Sequence, residues 1–142
     1  MYRKIVLPVD LNEPASWERA LPTALALCRT FEASLHIVTV LPDYHMPLVG
    51  SFFPEDFGEK ARQALSEAQH RFVAEHVPDE IETQCIIAEG SPYAGIVESA
   101  SAIGADLIVM ASHTRRNLAE RLLGPNAEHV VHRADMSVMV VR

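Results

Sequence analysis

Cysteine is scarce: Cys28 and Cys85 are the only two in 142 residues, far apart and without CxxC spacing. Two such thiols build neither a disulfide framework nor, alone, a zinc site, and they read as buried free thiols. Basic charge is also short, with 12 Lys+Arg against 19 Asp+Glu and a formal net charge of −7. A phosphate backbone is bound by a basic surface, so nucleic acid is excluded as a general partner. Long hydrophobic runs are missing too. No uninterrupted apolar stretch approaches the ~20 residues of a membrane span, and the opening run Ile5-Val6-Leu7 is too short for a signal peptide. There is no repeat, low-complexity tract or linker. These absences leave a soluble, cytoplasmic chain without a membrane partner.

What is present is a hydrophobic fraction of 49%, enough to exclude intrinsic disorder, in a length suited to one domain over 1–142. Short apolar runs alternate with longer amphipathic stretches. A first strand is expected over 3–9, apolar at consecutive positions as in a strand covered on both faces. A helix follows over 11–30, with Trp17, Ala20, Leu21, Ala24, Leu25 and Cys28 on one stripe. Pro14 suits its first turn, and Pro22 inside it is expected to produce a kink. A second strand over 34–41 precedes an irregular segment, 42–54, and a helix over 55–76. A third strand over 81–88 alternates Glu82 and Gln84 with apolar neighbours, which suggests an edge. Ser91 and Pro92 open a helix stopped by Gly104. A fourth strand over 106–110, a short helix over 127–134 and a last strand over 137–141 complete the pattern.

Strands alternating with helices imply right-handed crossovers and a doubly wound α/β fold, a parallel sheet with helices on both faces. Ligands in such sheets bind beyond the carboxyl ends of the strands, where strand order reverses. That rule directs attention to Asp10 and to the run after strand four. Residues 111–126 carry Arg115, Arg116 and Arg121 against Glu120, a local +2 in an acidic chain. They end at a helix start, where unpaired N–H groups and the dipole favour an anion. The run is either a phosphate site or an exposed polar loop.

Several blocks here resemble the universal stress proteins. They are Ile5-Val6-Leu7-Pro8-Val9-Asp10, Gly90-Ser91-Pro92 and Ala105-Asp106-Leu107-Ile108-Val109-Met110-Ala111-Ser112-His113. Leu122-Leu123-Gly124-Pro125-Asn126-Ala127-Glu128 and Ser137-Val138-Met139-Val140-Val141-Arg142 continue the likeness in the family's order. The resemblance implies a five-stranded sheet of order 3-2-1-4-5, of the Rossmann-like, adenine nucleotide alpha hydrolase-like kind. It also implies a homodimer formed through the last strand. Val138, Met139, Val140 and Val141 make that strand an apolar edge, which invites pairing with a second copy. Nucleotide-binding members hold ATP or a related adenine nucleotide between strands one and four.

Their phosphate motif, G-x2-G-x9-G-[ST], falls here on Ala111, Thr114, Gly124 and Pro125, so only Gly124 matches. Thr114 brings a Cβ where glycine lets backbone approach phosphate. Pro125 removes a hydroxyl and an N–H, leaving Gly124, Asn126 and Ala127 as expected donors. The Ala-Ser-His opening with Leu-Leu-Gly-x-Asn resembles the F/G-type subclass, whose members can bind ATP with a non-glycine loop. By family correspondence, adenine and ribose meet Pro8, Val9, Asp10, Val40 and Met110. His113 lies in the matching loop, and Arg115 or Arg116 could neutralise phosphates, with Mg2+ accompanying ATP. Asp10 is suited to accept from a sugar hydroxyl or adenine amine, or to cap the following helix.

Other chemistry has less support. His129 and His132 are neighbours on a helix and His113 could approach them, but no zinc-like spacing results. They read as solvent-facing, near a helix C-terminus, and His36 as a core or interface residue. Ser112 beside His113 is mere adjacency, not a nucleophile–base pair. The Walker sequence Gly-x4-Gly-Lys-[Ser/Thr] is absent, so no catalytic residue is assigned and at most slow ATP hydrolysis is expected. The apolar segment from Pro42 to Pro54 is either a lid or protein-partner surface, or a loop packed on its own helices. Two functions remain: a nucleotide-binding stress regulator acting through conformation or association, or a dimeric adaptor whose nucleotide crevice is vestigial.

Overall fold

Apolar residues at consecutive strand positions divide between two helix layers. The computed structural model describes residues 1–41, 57–112 and 123–142. Its strands are β1 (Lys4–Pro8), β2 (Ser34–Leu41), β3 (Thr83–Glu89), β4 (Leu107–Ala111) and β5 (Ser137–Val141). They pair in parallel in the order β3-β2-β1-β4-β5, as the resemblance implied, with β3 at one edge as its polar alternation suggested. Among the described residues, four helices cover the sheet: α1 (Ala20–Phe31), α2 (Phe57–His76), α3 (Pro92–Ala102) and α4 (Pro125–Arg133).

Ile5 and Leu7 of β1 pack with Leu35, Ile37, Leu107 and Val109 under α1 and α2. Val6 turns the other way, joining Val38, Ile108 and Met110 under α3 and α4. One strand therefore serves two cores, which is why its sequence is apolar without alternation. Gln69 of α2 is buried and donates from its side-chain amide to the Ile86 carbonyl of β3 at 2.9 Å, so its polarity is satisfied. Cys28 is buried and Cys85 partly so, both unpaired. Burial raises both thiols, Cys28 to about 11, which makes it a poor nucleophile.

The helix expected over 11–30 is broken. A 3-10 turn at Pro14–Ser16 comes first, and α1 begins only at Ala20. The cause is local side-chain competition for the backbone. The Asp10 N–H donates to Ser16 Oγ at 2.9 Å, and the Ser16 hydroxyl returns a bond to the Asp10 carbonyl at 3.1 Å. Pro22 consequently falls in the first turn of α1, where its missing N–H has no helical partner anyway, and not in the helix interior where a kink was expected. Trp17, set between the turn and the helix, packs edge-on against Phe72 at 4.9 Å and lies 4.8 Å from the His76 ring. Its indole Nε1 is buried without a hydrogen-bond partner among the described residues.

Other boundaries move by one or two residues. β3 starts at Thr83 because Ile81 sits in a turn, its N–H donating to the Pro78 carbonyl. β4 starts after Asp106, whose carboxylate accepts the N–H groups of Arg3 and Lys4 and so lies outside the ladder. α4 starts at Pro125, which is preorganised for a first helical position. α3 ends as expected, with Gly104 at φ +67° letting the Ala105 N–H reach back to the Ala100 carbonyl at 2.9 Å.

Candidate functional site

Strand order reverses between β1 and β4, so their carboxyl ends open the crevice of the sheet. Beyond β1 stands Asp10. Its Oδ1 accepts the Asn12 N–H at 3.0 Å, the cap-like role weighed against ligand contact, yet the residue stays exposed. A carboxylate has further lone pairs, so the turn and a ligand donor can share it. Pro8 ends β1 opposite Val38, and the Val9 N–H donates to the Val38 carbonyl. Val9 itself is buried in the layer beneath α1 and α2, so its side chain is directed into the core.

Val40, half-buried, lies on the other face against α3. The approach is close at Gly95, where a Cβ would come within 3.1 Å of a Val40 methyl and 3.0 Å of Ala88 Cβ. Met110 and Ala111 end β4 and are buried, paired with Val140 and Val141.

The start of α4 is tied to the end of β4. Ser112 extends the ladder by donating its N–H to the Val141 carbonyl at 2.9 Å. Its Oγ accepts the Gly124 N–H at 3.1 Å. Gly124 stands at the N-cap position of α4 and has no side chain, and its own N–H is met by Ser112, twelve residues away. The Gly124 N–H, expected as a donor, thus has an acceptor within the chain. Asn126 is exposed and Ala127 buried, both in the first turn of α4. Sequence reasoning treated Ser112 only as a neighbour of His113. The missing side chain at Gly124 was the signal that could have found it.

His113, Thr114, Arg115 and Arg116 lie outside the described residues, as does the segment from Pro42 to Pro54. His129 and His132 are exposed on α4. His129 stacks on Tyr93 of α3 at 4.6 Å, and the Arg133 guanidinium carbon lies 4.9 Å from the same ring. That contact joins α3 to α4. His36 is buried on β2, its Nε2 2.9 Å from Ser34 Oγ and its Nδ1 without a partner among the described residues. No group of three His, Cys, Asp or Glu residues gathers for a metal among the described residues.

Comparison with known proteins extends this geometry. A family model described as the universal stress protein family matches residues 1–142. The universal stress protein MJ0531 of Methanocaldococcus jannaschii is 34% identical, over 100% of this chain and 83% of its own length. The universal stress protein UspA of Lactobacillus plantarum superposes with a TM-score of 0.72 at 27% identity, covering 99% of this chain and 98% of that one. A universal stress protein solved in complex with cAMP is also 27% identical, with a TM-score of 0.62 over 99% of this chain and 97% of its own.

Proposed function

Since this chain belongs to the universal stress protein family, we propose that it binds an adenine nucleotide, ATP or AMP, beyond the ends of β1 and β4. In this reading it is a cytoplasmic stress-response regulator acting through conformation or association. The observation that carries it is the arrangement at the switch point. An exposed carboxylate, Asp10, follows one strand, and a helix start clasped by Ser112 follows its neighbour. The first offers acceptors to a sugar hydroxyl or adenine amine, and the second offers N–H donors to phosphate. Pro8, Val9, Val40 and Met110 then border the base and ribose. Ala111, Gly124, Asn126 and Ala127 border the phosphates, with His113, Thr114, Arg115 and Arg116 supplied by the sequence between. A relative that holds cAMP supports an adenine ligand. Mg2+ accompanies ATP, any hydrolysis is slow, and the loop chemistry fits the F/G-type subclass.

The test is direct. Protein purified without added nucleotide is denatured and its supernatant chromatographed, and calorimetry follows ATP and AMP added to stripped protein. Adenine nucleotide in the supernatant, or binding heat, supports the reading. Neither released nucleotide nor heat up to millimolar ligand would sink it.

A second reading has its own support. The Gly124 N–H is already bonded and Pro125 has none, so two donors are withdrawn from the crevice. In that reading the chain is a dimeric adaptor with a vestigial site, working through the segment from Pro42 to Pro54. Truncation of that segment then abolishes function, while Arg116→Ala and Asn126→Ala leave it intact.

A further inference from the structure

We propose that His36, Lys4 and the last turn of α3 form an acid-released latch at the amino end of the sheet, where a proton taken up by His36 frees the end of α3 while the sheet stays paired. His36 is 3% exposed and stands in register with Val6 of β1 and Gln84 of β3, on the face that α3 covers. Its Nε2 is 2.9 Å from Ser34 Oγ, and the Ser34 hydroxyl also lies 3.3 Å from the Arg3 carbonyl. A hydroxyl has one proton to give. Spent on the Arg3 carbonyl, it leaves Ser34 Oγ to accept from the ring's Nε2–H, and the neutral imidazole keeps Nδ1 bare. The other tautomer would bury an Nδ1–H with no acceptor among the described residues, which is the rarer and costlier case.

A second proton on the ring therefore goes to Nδ1, and the charges around it make that unfavourable. Lys4 of β1 pairs in register with Ser34, and its ammonium donates to the Ile103 carbonyl at the end of α3 at 2.8 Å. Glu82, just before β3, is exposed and only partly offsets that charge. Asp106, before β4, has its carboxylate engaged by the Arg3 and Lys4 N–H groups, and Glu98 of α3 is exposed. Burial first, and Lys4 second, accordingly hold the imidazole below its usual range. Relief is cheapest at Lys4, an exposed side chain tied to α3 through the Ile103 carbonyl. Once that bond lets go and the end of α3 lifts, water reaches Nδ1, and the open form takes the proton that the closed form refuses. Opening thus grows as pH falls through about 6.5, by up to about ten-fold at about pH 5.5 for one proton.

The experiment is amide hydrogen exchange of the full chain, followed by NMR at about pH 7.5 and about pH 5.5 and corrected for the intrinsic rate. Ile103, Gly104 and Ala105 report the latch, since their N–H groups bond back to Ser99, Ser101 and Ala100 and close the end of α3. Their opening is expected to rise at least about three-fold at the lower pH, and to be unchanged by about 1 M urea, because the sheet stays paired and little surface is exposed. Amides of β1 and β4 exchange more slowly and respond to the urea. In His36→Gln the acid effect on the latch disappears. A smaller rise, a rise that survives in His36→Gln, or latch amides that open only together with the strands overturns the inference. A check that leaves His36 in place is its ring signal in Lys4→Met. The titration midpoint rises once the neighbouring charge is gone, and an unmoved midpoint overturns the inference too.

Discussion

Burial in the middle of the sheet holds the His36 imidazole below its usual pKa, with the charge of Lys4 lowering it further and that of Glu82 opposing. The folded chain therefore keeps His36 neutral where the unfolded chain would protonate it. Stability is complete above the unfolded value of about 6.5 and falls as pH drops through it, because only the unfolded state takes up the proton. Replacing the imidazole by a group that does not titrate, His36→Gln, removes this part of the acid-side loss. Urea denaturation at about pH 7.5 and about pH 5.5 checks it, with wild type losing more stability between the two than the variant. Equal losses would show that other groups carry the acid sensitivity. His36 was legible as a core residue from its place in an apolar strand. Its orphaned Nδ1 was not, because that depends on what the other elements put beside it. Gly95 teaches the same lesson: nothing near it in sequence announces the approach of Val40 and Ala88.

Among the elements, α4 depends on a residue outside itself. Ser112→Ala removes the acceptor of the Gly124 N–H and unties the helix start from the end of β4. A loss of about 1 kcal/mol is expected, read as a lower midpoint in chemical denaturation, with Ser112→Thr retaining most of the stability. An unchanged midpoint in Ser112→Ala would show the bond to be energetically idle. All five strands were readable as short apolar runs, and α3 from its Ser-Pro opening and glycine stop. The break before α1 was not. Apolar spacing continued through Trp17 into Ala20 and Leu21, while the interruption came from Asp10 and Ser16 bonding across six residues. Periodicity reports which face is apolar, not which side chains recapture the backbone, and the same limit hid the bond from Ser112 to Gly124.

For the whole molecule, the two edges of the sheet differ. β3 carries exposed Gln84 and Glu89, and α2 reaches it through Gln69 and through an ion pair between Arg62 and Glu89. β5 presents Val138, Met139, Val140 and Val141, all half-buried. An apolar, unpaired edge favours a second strand, whereas charge at an edge opposes one. We therefore expect homodimerisation through β5, with sedimentation equilibrium giving twice the chain mass at micromolar concentration and Val140→Lys shifting it to the monomer. A monomeric wild type would exclude this edge as an interface at that concentration. Sheet order came from family likeness, since the βα alternation alone leaves strand order open. The candidate site was half legible. Asp10 and the start of α4 followed from the rule about strand ends, but the donors actually left at that start depend on bonds seen only in three dimensions.

Trp17 is the sole tryptophan of the chain, and it sits a few residues beyond Asp10, wedged against Phe72 and His76. The protein thus carries its own optical probe. All indole emission comes from one ring, on the segment that joins the crevice to α1 and against the helix that covers the sheet. A shift in wavelength or intensity on adding ligand reports rearrangement of that segment without any label, and a silent spectrum confines the change to the opposite face.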